Sequence, residues 1–350
     1  MAKVVVVTGA SAGVGRATAR EFAKHGWRVA LIARNRDALT NALAEVQKLG
    51  GKGLVLALDV ADATAVESAA QTIEEQLGPI DVWVNNAMVS VFSPVNQMKA
   101  EEYKRVTDVT YLGYVHGTLS ALKRMQARNK GTIVQVGSAL AYRSIPLQSA
   151  YCAAKHAIIG FTDSLRCELH HDKSNVHVTV VQMPALNTPQ FGWVRSRLPR
   201  HPQPVPPIFE PEVGARAIYF AARSKRRELW VGAPTVEAII AQKFFPGLLD
   251  RYLGRTGYDS QQTDQPADPQ RPDNLWNYVP GDAGAHGVFD DRAQSRSREL
   301  QFAMRRRWLT AAAAIGAGVV AEYWRRRAPR QRTLKTQRRQ FSYEPESWAA

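Results

Sequence analysis

The chain is 350 residues long and 45% hydrophobic, with 46 Lys/Arg against 31 Asp/Glu and a formal net charge of +15. Residues 292–340 alone hold 14 Arg/Lys against two Glu, so the remainder is near neutral, which excludes a nucleic-acid face spread across it. Such a length buries one core of about 230–250 residues and leaves an appendage.

In chain order, β-branched runs fall at Lys3 to Thr8, Arg28 to Ala33, Gly53 to Leu58, Ile80 to Val84, Gly131 to Gly137, Val176 to Gln182 and Glu228 to Gly232. Between them lie helical patterns, among them Ala63 to Gln76, Glu101 to Met125 and Ala150 to His171. Strands separated by helices need right-handed parallel crossovers, and a run such as Val4-Val5-Val6-Val7 suits a strand covered on both faces. The pattern predicts an α/β fold: a doubly wound, parallel, seven-stranded sheet of the Rossmann type, over residues 1–235, with a C-terminal extension.

Residues 236–300 read as that extension, with an amphipathic helix over Ala238 to Leu253 and a polar stretch over Ser260 to Asp273 that is either a linker or an irregular extension. Residues 301–350 form an Arg-rich tail. Its apolar helix, Trp308 to Trp324, is flanked by Arg305-Arg306-Arg307 and Arg325-Arg326-Arg327. At 17 residues it falls short of a bilayer core, so an interfacial anchor over 305–327 and a packed or dimerising helix are both open. The two cysteines, Cys152 and Cys167, lie on one predicted helix too far apart to pair and read as free buried thiols. With a strand beginning at Lys3 and no leader before it, a cytoplasmic compartment is expected.

The first crossover carries the chemistry. Thr8-Gly9-Ala10-Ser11-Ala12-Gly13-Val14-Gly15 joins the first strand to the first helix, where glycines let the backbone approach a pyrophosphate at a helix N-terminus. The second strand ends at Ala33-Arg34, where an acidic residue would bond both ribose hydroxyls of NAD; Arg34 instead offers a cation to the 2′-phosphate of NADP(H). Asp59 closes the third strand and either bonds an adenine amino group or caps a helix. Tyr151 and Lys155, four apart, share a helix face towards which Ser138 can converge. Hydride transfer to a carbonyl needs a proton donor; a phenol with an ordinary pKa near 10 becomes one beside an ammonium, and a serine hydroxyl can polarise the carbonyl.

In these motifs, with Asp59-Val60 and Asn85-Asn86-Ala87, the chain resembles the short-chain dehydrogenase/reductase family over about residues 1–235. The resemblance implies that Tyr151 is the general acid/base, that Lys155 lowers its pKa and binds the nicotinamide ribose, and that Ser138 orients the carbonyl. It further implies cofactor contacts at Thr8, Gly9, Ser11, Gly13, Val14, Gly15, Val60, Asn86, Ala87 and Thr188, with Asn85 supporting the central strand. Thr110 stands where many members carry an asparagine that holds a relay water, and is expected to take that catalytic place. Met88 and Met183-Pro184 also depart from the family pattern. Pro189 to Pro211, rich in proline and apolar residues, corresponds to the loop over the substrate and points to a hydrophobic one, or to a loop packed on its own core. Expected partners are a small carbonyl or alcohol substrate and a second copy in a homodimer or homotetramer, with no nucleic acid and no metal. A non-catalytic NADP-binding scaffold or sensor is the alternative function.

Overall fold

The computed structural model describes residues 2–268 and 270–305, with residues 317, 318, 320, 321 and 323 beyond them. Met1–Met304 form one compact unit and Arg305–Ala350 a second. Most of the apolar run predicted over 308–324 lies outside the described residues.

Seven strands make the central sheet: β1 (Val4–Thr8), β2 (Arg28–Ala33), β3 (Lys52–Ala57), β4 (Ile80–Asn85), β5 (Gly131–Ser138), β6 (Val176–Met183) and β7 (Glu228–Trp230). They run parallel in the order β7-β6-β5-β4-β1-β2-β3. The order reverses between β1 and β4, and at such a switch point the connections leave in opposite directions and open a crevice beyond the strands' carboxyl ends.

The valine run of β1 shows why both faces are covered. Val5 and Val7 enter one core, with α1 (Gly13–Lys24), α2 (Arg36–Lys48) and a later helix, Pro211–Ala222. Val4 and Val6 enter the other, with α3 (Ala63–Leu77), α4 (Ala100–Thr107), α5 (Gly113–Ala127) and α6 (Ser149–His171). Each fully buried valine contributes on the order of 1.5 kcal/mol. Asn35 and Asp62 cap α2 and α3 by accepting from Ala38 N and Ala65 N.

The reading of the sequence needs correction at three points, two helices and one cysteine. The helical pattern over Glu101 to Met125 is not one α-helix: Asp108–Leu112 is a π turn between α4 and α5. Ala238 to Leu253 is not one helix either. After α7 (Gln190–Trp193) and α8 (Pro211–Ala222) come α9 (Ala233–Phe244) and α10 (Pro246–Thr256), broken at Phe245 because Pro246 has no N–H and disfavours helical geometry before it. Of the two readings of Ser260 to Asp273, the packed extension holds over the linker, since Gln262–Pro266 pairs antiparallel with Arg200–Pro202. Both cysteines are free, but Cys167 is exposed, on the solvent side of α6.

The extension packs within the first unit: Leu275, Phe289 and Leu300 are each buried in a different apolar cluster. The loop Pro189 to Pro211 is likewise packed, with Phe191, Val194, Leu198 and Ile208 clustered against Phe92 and Leu147.

A buried polar knot fixes the middle of the sheet. Asn85 donates to Tyr114 O (3.2 Å), Thr118 Oγ1 (3.1 Å) and Gln135 Oε1 (2.9 Å), and accepts from Trp83 Nε1 (2.8 Å). A Cβ at Gly117 would land on Asn85 Oδ1 and Trp83 Nε1. Gly117→Ala is therefore expected to lower the free energy of unfolding by roughly 2–3 kcal/mol in a denaturant titration. Gly160→Ala, where a Cβ meets nothing within 4 Å, is expected to leave stability equal or slightly raised.

Candidate active site

The crevice at the switch point begins with a turn that only glycine fits. Gly9 has φ +68°, and a Cβ on Gly15 would land on the Gly9 carbonyl oxygen. The backbone thus bends back on itself and aims the first turn of α1 into the crevice. Thr8 fastens this turn to β4: its hydroxyl donates to Val84 O and accepts from Asn86 N (2.8 Å) and Ala87 N (3.0 Å), while Asn86 Nδ2 donates to Thr8 O.

A cleft of about 200 Å³ runs past Gly9, Ser11, Gly13 and Val14 to Arg34 and Asp59, and Val60, Asn86, Ala87 and Thr188 also line it. Asp59 does two jobs there: it accepts from Ala61 N (3.0 Å) and forms an ion pair with Arg105 (2.5 Å).

Sequence reasoning missed the far wall of this cleft. Asn274, Tyr278, Val279, Gly281 and Ala283, from a strap in the C-terminal extension, line it. Arg34 donates to Asn274 O (2.6 Å) and Trp276 O (2.9 Å), and Asn35 to Val279 O and Gly281 O. Gly13 N donates to Gly284 O (3.1 Å), and buried Arg16 joins the strap through an ion pair with Asp282. The apolar residues of Asn274-Leu275-Trp276-Asn277-Tyr278-Val279, following the polar stretch, were the available signal.

Beyond the glycine turn opens a second cavity, about 470 Å³, with Ser138, Tyr151 and Lys155 at one end and apolar side chains such as Phe92, Met183, Leu186 and Phe191 around it. Met88, Val14 and Thr188 line both spaces, so cleft and cavity share a wall. The structure brings the predicted trio together. Ser138 hydrogen-bonds the Tyr151 phenol, and its own N–H donates to Gln182 Oε1 (2.8 Å) on β6.

Lys155 is 2% exposed. Its ammonium donates to Val136 O (2.7 Å) and to the Tyr114 hydroxyl (2.9 Å), and lies 5.5 Å from the centre of the Tyr151 ring. Tyr114 in turn donates to Val136 O (3.0 Å). Sequence reasoning also missed Tyr114. Only its place one turn after Thr110, on the helix that follows the π turn, hints at it. Burial pushes Lys155 down to about 7. Burial also raises the Tyr151 phenol above its ordinary value, and the Ser138 hydrogen bond partly opposes it.

Thr110 is placed differently from the other three. Its hydroxyl accepts from Val89 N (3.1 Å) and donates to Val89 O (2.8 Å), and it lines neither the cleft nor the cavity.

Comparison with known proteins agrees with this architecture. The family model described as short chain dehydrogenase matches residues 3–198. The protein named "Uncharacterized oxidoreductase YxnA" of Bacillus subtilis (strain 168) is 33% identical over 321 residues, covering 91% of this chain and 89% of that protein. The 3-dehydrosphinganine reductase of Danio rerio is 35% identical over 193 residues, 54% of this chain and 58% of that protein. An alcohol dehydrogenase from the archaeon Thermococcus sibiricus, solved with 5-hydroxy-NADP, superposes with a TM-score of 0.59 at 27% identity, covering 66% of this chain and 96% of that one. The chain therefore belongs to the short-chain dehydrogenase family and is an oxidoreductase on a fold that binds a nicotinamide dinucleotide.

Proposed function

We propose that the chain is an NADP(H)-dependent carbonyl reductase or alcohol dehydrogenase, with Tyr151 as its general acid/base and a hydrophobic ketone, aldehyde or alcohol as substrate. The observation carrying this reading is the convergence of Ser138, Tyr151 and Lys155 on an apolar cavity that shares a wall with the glycine turn. A relative named as a 3-dehydrosphinganine reductase fits a carbonyl substrate.

The cleft fits the dinucleotide phosphate. Backbone N–H groups at the start of α1 suit a pyrophosphate. Arg34 commits two of its five donors to the strap and keeps three for a 2′-phosphate, and no carboxylate ends β2. When bound, the dinucleotide supplies or takes up the hydride, which no side chain can do.

Every other part of the reaction belongs to the chain. Ser138 donates to the substrate oxygen and turns the carbonyl towards the phenol. Tyr151 delivers a proton to that oxygen in reduction and removes it in oxidation. In a dry site neither a phenolate nor an ammonium is stable alone, but the Lys155 ammonium beside Tyr151 stabilises the phenolate, and the pair titrates as a unit. Tyr114 and Val136 hold the ammonium in place. Thr110 clasps the backbone next to Met88, at the shared wall. The same reading carries a homodimer or homotetramer and a membrane contact through 305–327. Among the described residues no helix is long and apolar enough to cross a membrane.

Fluorescence titration of NADPH and NADH, followed by turnover of apolar ketones, tests this. NADPH is expected to bind at least about tenfold tighter than NADH, and Arg34→Asp to abolish that preference. Tyr151→Phe is expected to cut turnover about 10³-fold with NADPH affinity nearly unchanged. Binding without turnover in the wild type would favour the sensor reading, and binding of neither cofactor would overturn both.

The buried lysine gives a pH dependence with a definite sign. Its pKa is about 7 folded and ordinary, near 10.5, unfolded, so between these values the unfolded chain holds a proton that the folded chain lacks. Raising pH through that window stabilises the wild type relative to Lys155→Met. Paired denaturant titrations across the window are expected to show the stability difference moving in favour of the wild type, and a constant difference would refute the assignment.

The strap predicts slow cofactor release. Asp282→Ala removes its ion pair with Arg16 and is expected to speed NADPH dissociation about tenfold in stopped-flow fluorescence. An unchanged rate would reduce the strap to packing.

A further inference from the structure

Helices α9 and α10 form a hairpin that is apolar on both faces. Its inner face lines the substrate cavity with Ala238, Ala241, Leu249 and Leu253. Its outer face presents Ile240, Phe244, Phe245, Leu248 and Tyr252 to solvent, between 45% and 70% exposed. Ile240 and Phe244, and likewise Leu248 and Tyr252, stand four apart and share a face of their helix. A third of the exposed large apolar side chains among the described residues fall in this one stretch. The cavity does not demand them: polar residues at 244, 245 and 248 would leave its lining intact. A contiguous exposed apolar patch marks an interaction surface.

The charge around the patch selects its partner. Lys243, Arg251 and Arg255 are exposed, each three positions from a residue of the outer face, and have no ion pair among the described residues. Of the acidic residues of the hairpin, Glu237 lines the cavity and Asp250 forms an ion pair with Arg143 (2.8 Å). An apolar centre with a cationic rim fits an anionic lipid surface, where aromatic and aliphatic side chains enter the acyl boundary and cations meet headgroups. A second copy in a two-fold contact would bring the same three cations against one another.

We propose that the α9–α10 hairpin docks the enzyme on an anionic membrane surface, with Phe244, Phe245 and Leu248 inserted and Lys243, Arg251 and Arg255 at the headgroups. Tyr252 belongs to both the patch and the cavity wall, so a docked hairpin places the cavity mouth against the lipid. An apolar substrate then passes from the bilayer to Tyr151 without crossing water. This last step rests on the hydrophobic-substrate reading, whereas the docking itself does not.

The test is co-flotation of the full-length chain with vesicles of phosphatidylcholine, alone or mixed with phosphatidylglycerol. The wild type is expected to partition onto the anionic vesicles, less at high salt. The Phe244→Ser, Phe245→Ser, Leu248→Ser variant is expected to lose about tenfold or more of that partitioning while keeping NADPH affinity and thermal unfolding unchanged. Three outcomes overturn the proposal: a wild type that does not float, a variant that floats like the wild type, or an oligomeric wild type that the variant converts to monomer. A chain that floats but does not turn over ketones would count against the catalytic reading and leave the docking standing.

Discussion

A buried ammonium is the constraint around which the site is built. Placing a lysine charge in a dry interior costs several kcal/mol unless hydrogen bonds replace its water. For Lys155 they come from two elements: the Val136 carbonyl on β5 and the Tyr114 hydroxyl on α5. Neither can shift alone, because Asn85 on β4 bonds the Tyr114 carbonyl, Thr118 on α5 and Gln135 on β5. Ser138 is fixed from the other side, through Gln182 on β6, which itself donates to Glu228 on β7 (2.7 Å). Hydrogen bonds running from β4 across to β7 thus set the relative positions of Ser138, Tyr151 and Lys155. The polar residues of this sheet's interior thus position the wall of the cavity as well as holding the fold.

The cofactor side is organised by charge and backbone carbonyls. Arg16, in the first turn of α1, is almost wholly buried between Glu45 and Asp282 and ties the body of the domain to the strap. Arg34 meets only uncharged carbonyl oxygens on the strap, so its positive charge is held in position without being neutralised by a carboxylate there. That distinction matters for a group read as the receptor of a phosphate. An arginine committed to a carboxylate would have to give up an ion pair before binding one.

The sheet and the grouping of Ser138, Tyr151 and Lys155 on one cavity were legible in the sequence because each rests on a local pattern. Apolar runs such as Val4 to Val7 report burial on both faces, the glycines after Thr8 report a turn closed to any Cβ, and Tyr151 with Lys155 reports a shared helix face. What was not legible depends on contacts distant in sequence. Tyr114 meets Lys155 across 41 positions and Arg34 meets Trp276 across 242, separations that no periodicity encodes. The π turn follows α4 and precedes α5 directly, with no proline between residues 101 and 125, so Glu101 to Met125 read as continuous. Phe245-Pro246 was a visible break, hidden by apolar spacing that continued on both sides of it.

The two ends of the site differ in what must move to open them. Opening the cleft means separating the strap from Arg16, Arg34, Asn35 and Gly13, which breaks an ion pair and several hydrogen bonds whose donors and acceptors are largely shielded. Opening the cavity means displacing α9 and α10. No residue of α10 is buried, and α9 buries only Thr235 and Ile239. Local opening free energy follows buried apolar contact and protected hydrogen bonds, so the hairpin is the less costly wall to displace. This asymmetry suits a two-substrate enzyme in which a dinucleotide is retained while a smaller, apolar molecule exchanges. It also puts the yielding wall on the side that carries the exposed phenylalanines, where contact with a lipid surface would stabilise the displaced hairpin and not the closed strap.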